Sequence, residues 1–137
     1  MNLSLSHCFV TVNDPDEALA FYRDVLGLTL VSDVANGGFR WLTLSTASQP
    51  NIQIVLTQAQ AGQSPENGEA LLQLVTKGAL MGVILSSEDL DKTFAEVSAS
   101  GAEVVQEPTD QGWGVRDCAF RDPAGNMIRI NQASAGE

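Results

Sequence analysis

The sequence predicts an α+β fold made of two βαβββ modules that pair into a half-open mixed β-barrel, with a central cleft and the helices on the outside. Two observations predict it. A strand, a helix and three strands follow one another between residues 3 and 57, and the same order returns between 80 and 131. Shifting the chain by 74 residues lays Gly27 on Gly101, Gly38 on Gly112, Phe39 on Trp113 and Val55 on Arg129, as an internal repeat would. Each module is then a sheet with a helix on one face, and its other face needs a partner or forms a cleft.

The elements follow from local chemistry. Leu3 to Val12 alternates, with Cys8, Val10 and Val12 on one face and His7, Phe9 and Thr11 on the other. Asn13-Asp14-Pro15-Asp16 supplies an N-cap and a proline in the first turn of a helix. Glu17 to Leu26 then has Ala18, Phe21, Tyr22 and Val25 at helical spacing, and Gly27 is the C-cap. Leu28 to Val34, Phe39 to Ser45 and Asn51 to Thr57 read as strands, the first two joined by an Asn36-Gly37-Gly38 turn. Residues 1–58 form the first module. Residues 59–78 are a linker of loop composition, in which Leu71 to Val75 reads equally as a helical turn or an extended piece.

Residues 79–137 form the second module: a strand from Leu80 to Ser86, an acidic cap at Ser87-Glu88-Asp89, and a helix from Leu90 to Ser100 closed by Gly101. Strands follow at Ala102 to Gln106, Gly112 to Arg121 and Asn126 to Asn131, and the last five residues are expected to fray. In the last strand Ile128 and Ile130 share one face, so Arg129 points to the other.

Composition excludes several classes. The formal charge is −10, from 17 acidic and 7 basic residues, which argues against nucleic acid and anionic membranes as partners. No apolar run is long enough to span a membrane, and the N-terminus does not resemble a signal peptide. Cys8 and Cys118 both lie in apolar strand patterns and read as free thiols of a reducing, cytoplasmic protein. One histidine cannot build a multi-histidine metal site.

Several residues bear on function. His7 faces the cleft, either as a hydrogen-bonded structural residue or as a general base. Phe9, Phe39, Trp41 and Trp113 read as strand aromatics. Phe39 and Trp113 lie just past glycine turns in equivalent positions, where two rings would flank a flat ligand. Arg116 reads as the ion-pair partner of Asp117, and also as a ligand contact. Arg129 either pairs with a strand carboxylate such as Asp117 or grips an anionic group of a ligand.

His7, Asp14, Phe21-Tyr22 and Leu26-Gly27 resemble the opening of the vicinal oxygen chelate superfamily. Gly101-Ala102 and Phe120-Arg121-Asp122-Pro123-Ala124-Gly125-Asn126 resemble its closing. The superfamily includes glyoxalases, extradiol dioxygenases and fosfomycin- and bleomycin-resistance proteins. The resemblance implies a ligand or metal set at His7, Val55, Gly82 and Arg129, or Met81 if the register shifts by one. Only His7 of these suits a divalent ion, so the resemblance implies a protein that binds a small organic molecule in its cleft with no metal and no cofactor. Two other readings stay open. One is a metal-independent lyase or isomerase with His7 as base and Arg129 as charge stabiliser. The other is a metal-dependent lyase or dioxygenase. A homodimer is expected, since two four-stranded modules leave sheet edges open.

Overall fold

The computed structural model describes residues 1–134; the last three residues of the expected tail lie outside the described residues. Two four-stranded sheets form, in the order β1-β4-β3-β2 and β5-β8-β7-β6. The strands of the first are β1 (His7–Val12), β2 (Thr29–Asn36), β3 (Phe39–Thr46) and β4 (Gln49–Gln58). Those of the second are β5 (Met81–Ser87), β6 (Glu103–Asp110), β7 (Arg116–Arg121) and β8 (Met127–Gln132). In each sheet the first strand pairs parallel with the last and the remaining pairs are antiparallel. The sheets are mixed, and they do not close on each other. β1 and β5 lie side by side where the modules meet.

The helices α1 (Pro15–Leu19), α2 (Pro65–Thr76) and α3 (Leu90–Ala99) cap as their sequences require. Asp14 accepts the backbone N–H groups of Asp16 and Glu17 at 2.9 and 3.2 Å, and Asp89 accepts that of Lys92 at 3.2 Å, satisfying donors a helix cannot bond internally. α2 fills the segment expected to be linker. Ser64 caps it through the Asn67 N–H at 3.1 Å and Pro65 takes its first position. That Ser-Pro pair is a helix start which the surrounding glutamines and glycines hide. After Leu19 the first helix widens into a π-helical turn over Ala20–Val25, where an unbroken α-helix was expected. The wider turn lets consecutive Phe21 and Tyr22 both face inward, their rings edge to face at 5.1 Å.

The core lies between the helices and one face of each sheet. Val10, Val12, Leu42, Leu44, Ile54 and Leu56 of the first sheet pack with Phe21, Tyr22 and Val75, and with Ile128 of the second. Cys118, Phe120 and Ile130 pack with Leu90 and Val97. Val25 and Leu26 touch both groups, so the helix layer is continuous across the modules. Gly125 sits where the end of α2 meets the turn before β8: at φ 118° a side chain is strained, and a Cβ would strike the Val75 carbonyl.

This shared layer carries a prediction. Residues 1–66 expressed alone lack Val75, Ala124 and Ile128, which belong to the same buried core as Phe21 and Tyr22. The fragment is expected to show no cooperative melt as a monomer. A monomeric fragment with a sharp denaturant transition would contradict it.

Candidate functional site

Alternation gives each sheet a second face, turned away from the helices. In the first module it carries His7, Phe9 and Thr11 of β1, with Gln53, Val55 and Thr57 of β4 and Trp41 and Thr43 of β3 as their neighbours across the ladders. Phe9 is 72% exposed beside buried Val55. Trp41 is half-buried beside Val34 and Thr57, and Phe39 is half-buried at the start of β3. His7 is exposed, with its Nδ1 2.9 Å from Ser6 Oγ.

In the second module the equivalent row runs Ile84, Arg129, Ala119, Gln106 across β5, β8, β7 and β6. Arg129 therefore stands where Val55 stands in the first module, and Ile84 where Phe9 stands. Met81, opposite Met127, stands where His7 stands opposite Gln53, so the first-strand position is Met81 and not the expected Gly82. A bulge between Met81 and Ile84 shifts the register of β5, and a Cβ on Gly82 would point at Ile128 Cδ1, 2.5 Å away on the helix side. Gly82 is thus off the open face. Met81 is on the exposed rim opposite Met127.

Arg129 is not a free cation. Its Nη1 donates to Asp117 Oδ2 at 3.1 Å and to Gln106 Oε1 at 3.2 Å, and its Nη2 lies 3.7 Å from Met127 Sδ. Asp117 is nearly fully buried, at 2% exposure, and its Oδ1 accepts the side-chain amides of Gln106 at 2.8 Å and Gln111 at 2.9 Å. Burial pushes the Asp117 carboxyl up. The Gln111 and Gln106 amides and Arg129 together outweigh it and hold the group below the usual carboxylate range. Beside it, burial and then the Asp117 charge push the Cys118 thiol up to about 11, so that thiol stays protonated. Cys8 is free and only half-buried.

The Arg129 guanidinium is 29% exposed on its side chain. Nε and one N–H of Nη2 have no hydrogen-bond acceptor among the described residues. The pair with Asp117 is close to neutral, while this remaining edge can still donate to a hydrogen-bond acceptor.

Two expected placements are corrected. Arg116 does not pair with Asp117; β7 sends the two to opposite faces, and Arg116 joins Asp91 at 2.9 Å and Asp110 at 3.5 Å on the helix side. Trp113 is not on a strand, because β7 begins only at Arg116. Bonds from the Gln111 N–H to the Val115 carbonyl, at 2.7 Å, and from the Gly114 N–H to the Gln111 carbonyl, at 3.2 Å, fold residues 111–115 into a turn. Trp113 stands 72% exposed at its tip. Gln106, Gln111 and Ile84 were missed by sequence reasoning. Glutamine has no pattern of its own, and the bulge hides Ile84.

The residues do not fit a divalent metal. Val55 offers no donor, Met81 only a thioether ill suited to a hard ion, and Arg129 carries a permanent positive charge where an anionic ligand would be needed. No group of three metal-ligating side chains exists among the described residues. No described helix is long and apolar enough to cross a membrane.

Two βαβββ modules joined through their helix layer, with open faces of aromatic and polar side chains, define the vicinal oxygen chelate class of protein. The sequence model of the Glyoxalase/Bleomycin resistance protein/Dioxygenase superfamily matches residues 4–130, and the chain belongs to that superfamily. The uncharacterized protein YurT of Bacillus subtilis is 32% identical over 124 residues, 90% of this chain and 94% of its own. The crystal structure of UcmS2 superposes with a TM-score of 0.88 at 30% identity, covering 97% of this chain and all of that one. TnmS3, an antibiotic binding protein from Streptomyces sp. CB03234, superposes with a TM-score of 0.76 at 28% identity, covering 98% and 99%.

Proposed function

We propose that this protein binds a small planar organic molecule on its open faces, without a metal ion, and does so as a homodimer. The observation that carries the reading is Arg129: the position that would hold a metal is taken by an ion pair with an unused donor edge. Phe9, Phe39 and Trp41 supply flat apolar surface. The likeness to an antibiotic binding protein supports a ligand of that kind. The acidic groups around Arg40 and Arg116 lie on the helix side, so they do not favour a cation on the open face. His7 is bonded to Ser6 and Arg129 to Asp117, an arrangement that supports binding over turnover. Exposed Met81 and Ile84 form apolar surface that a second copy would cover.

Two dyes with one ring system test the reading. 1-Anilinonaphthalene-8-sulfonate and uncharged N-phenyl-1-naphthylamine differ by the sulfonate alone. Both are expected to bind with quenching of tryptophan emission, and Trp41→Ala should weaken both. The sulfonate should add about tenfold in affinity, and Arg129→Met should remove that margin. If neither dye binds, or the margin survives in Arg129→Met, the reading fails.

The metal-free part is tested separately. Purified protein is expected to hold no stoichiometric zinc, iron, manganese or nickel, and a chelator should leave the melting temperature unchanged. About one metal per chain, removable with a fall in melting temperature, would refute it. Light scattering should give twice the chain mass.

A further inference from the structure

The turn that carries Trp113 is fastened to the pair that holds Arg129. Asp117 uses Oδ2 for Arg129 and Oδ1 for the amides of Gln106 and Gln111. Gln106 is a strand residue, opposite Ala119. Gln111 is different: it is the first residue of the 111–115 turn, and its backbone closes that turn at both hydrogen bonds. Its side chain is the only bond from this turn to the Arg129 pair among the described residues. At the tip Trp113 stands between Gly112 and Gly114, the latter at φ +89°. Trp113 itself is 72% exposed, so packing does little to hold the indole. The path of the 111–115 turn, and with it the side from which Trp113 leaves the backbone, is held at Gln111, whose backbone closes the turn and whose amide is bonded to Asp117.

We propose that Gln111 is a positioning residue which, through Asp117, sets the direction of the Trp113 indole at the rim of the open face, and so couples ligand contact at Trp113 to ligand contact at Arg129. The ligand half of this statement rests on the binding reading above; the link between Gln111 and the indole does not. A ligand acceptor that draws the Arg129 guanidinium from Asp117 alters the carboxylate that Gln111 holds, and thereby the pose of the ring. Gln111→Ala removes the fastening while leaving Gln106 and Arg129 on Asp117, so the fold keeps its buried carboxylate compensated.

The test has two arms. In a Trp41→Phe background Trp113 is the sole tryptophan. There, without any ligand, Gln111→Ala should lower the emission anisotropy and raise acrylamide quenching, with the denaturant midpoint little changed. Gln111→Asn, whose amide is too short to reach, should behave like Gln111→Ala. Unchanged anisotropy and quenching in both would overturn the proposal.

In the second arm, with Trp41 intact, 1-anilinonaphthalene-8-sulfonate is titrated into a double-mutant cycle. Gln111→Ala should weaken the dye by about threefold to tenfold, the scale of one aromatic contact. The same change in a Trp113→Ala background should cost less than about twofold. An equal loss in both backgrounds would show that Gln111 acts otherwise than through the ring, and would also overturn it. If the dye does not bind the parent protein at all, the binding reading falls with the coupling to ligand, and the first arm alone decides whether Gln111 directs the indole.

Discussion

Asp122→Ala is expected to destabilise the protein by at least about 3 kcal/mol, enough to threaten folding altogether. Asp122 is 4% exposed, and its carboxylate accepts five hydrogen bonds, all from uncharged donors. Oδ1 takes the backbone N–H groups of Ala124, Gly125 and Asn126 at 2.8–3.0 Å, which folds the Asp122-Pro-Ala-Gly-Asn turn. Oδ2 takes the Tyr22 hydroxyl at 2.6 Å and the Asn126 amide at 2.9 Å. The same Asn126 amide donates to the Thr11 carbonyl at 2.7 Å, so the turn is tied to both α1's π-helical extension and β1. Burial, then the Asp122 charge, pushes the Tyr22 hydroxyl far above its ordinary range, and it remains a donor at every working pH.

Alanine strands several buried donors at once, while Tyr22→Phe removes one charged bond and should cost about 1.5–3 kcal/mol. Denaturant melts measure both. An Asp122→Ala protein within about 1 kcal/mol of the parent would show that the network contributes little.

The second large effect is at Arg129. Arg129→Met keeps the stem and removes the charge that faces buried Asp117. Breaking a fully buried pair costs about 3–5 kcal/mol. Here two amides remain on the carboxylate and the guanidinium is partly exposed, so a loss of about 1.5–3 kcal/mol is expected. The pH dependence has a definite sign. The carboxyl of Asp117 lies below its ordinary 3.8 in the folded protein. Its contribution is therefore complete above that value and is lost as pH falls through the lower, folded one. The stabilities of the parent and Arg129→Met should differ fully at pH 7 and converge in acid below about pH 3.8. A gap that persists unchanged in acid would exclude the ion pair as its source. Asp117→Asn, which keeps the shape and a hydrogen-bonding oxygen, should lose less than Arg129→Met.

The residues that recur at helix and strand spacing made the architecture legible. Alternation in β8 assigns Ile128 and Ile130 to the core and Arg129 to the other face, and burial agrees. Glycines mark the ends of the first and third helices, with Gly27 and Gly101 both at positive φ. Local patterns carry such information because they report which face is buried. They carry little about what a polar side chain meets across the sheet. Arg116 and Arg129 look equally available to Asp117 in the sequence; only the facing of β7 separates them. The register of β5 is lost for the same reason, since a one-residue bulge leaves no mark in hydrophobicity. The Asp122 turn, which the sequence offers as a family likeness, is a structural clamp in which the residues of the likeness, Tyr22 and Asp122, bond each other.

That clamp joins residues 100 positions apart. On a ribosome adding about 5–20 residues per second, Tyr22 waits about 5–20 s before Asp122 is made. During that interval the hydroxyl, its edge-to-face partner Phe21 and the apolar row of the first sheet have no cover from the second half. Newly made protein is therefore most vulnerable to chaperone capture and to association between nascent copies while it is still being translated. Slowing synthesis between the modules lengthens that exposure, and a variant with Tyr22 replaced by phenylalanine would shorten none of it.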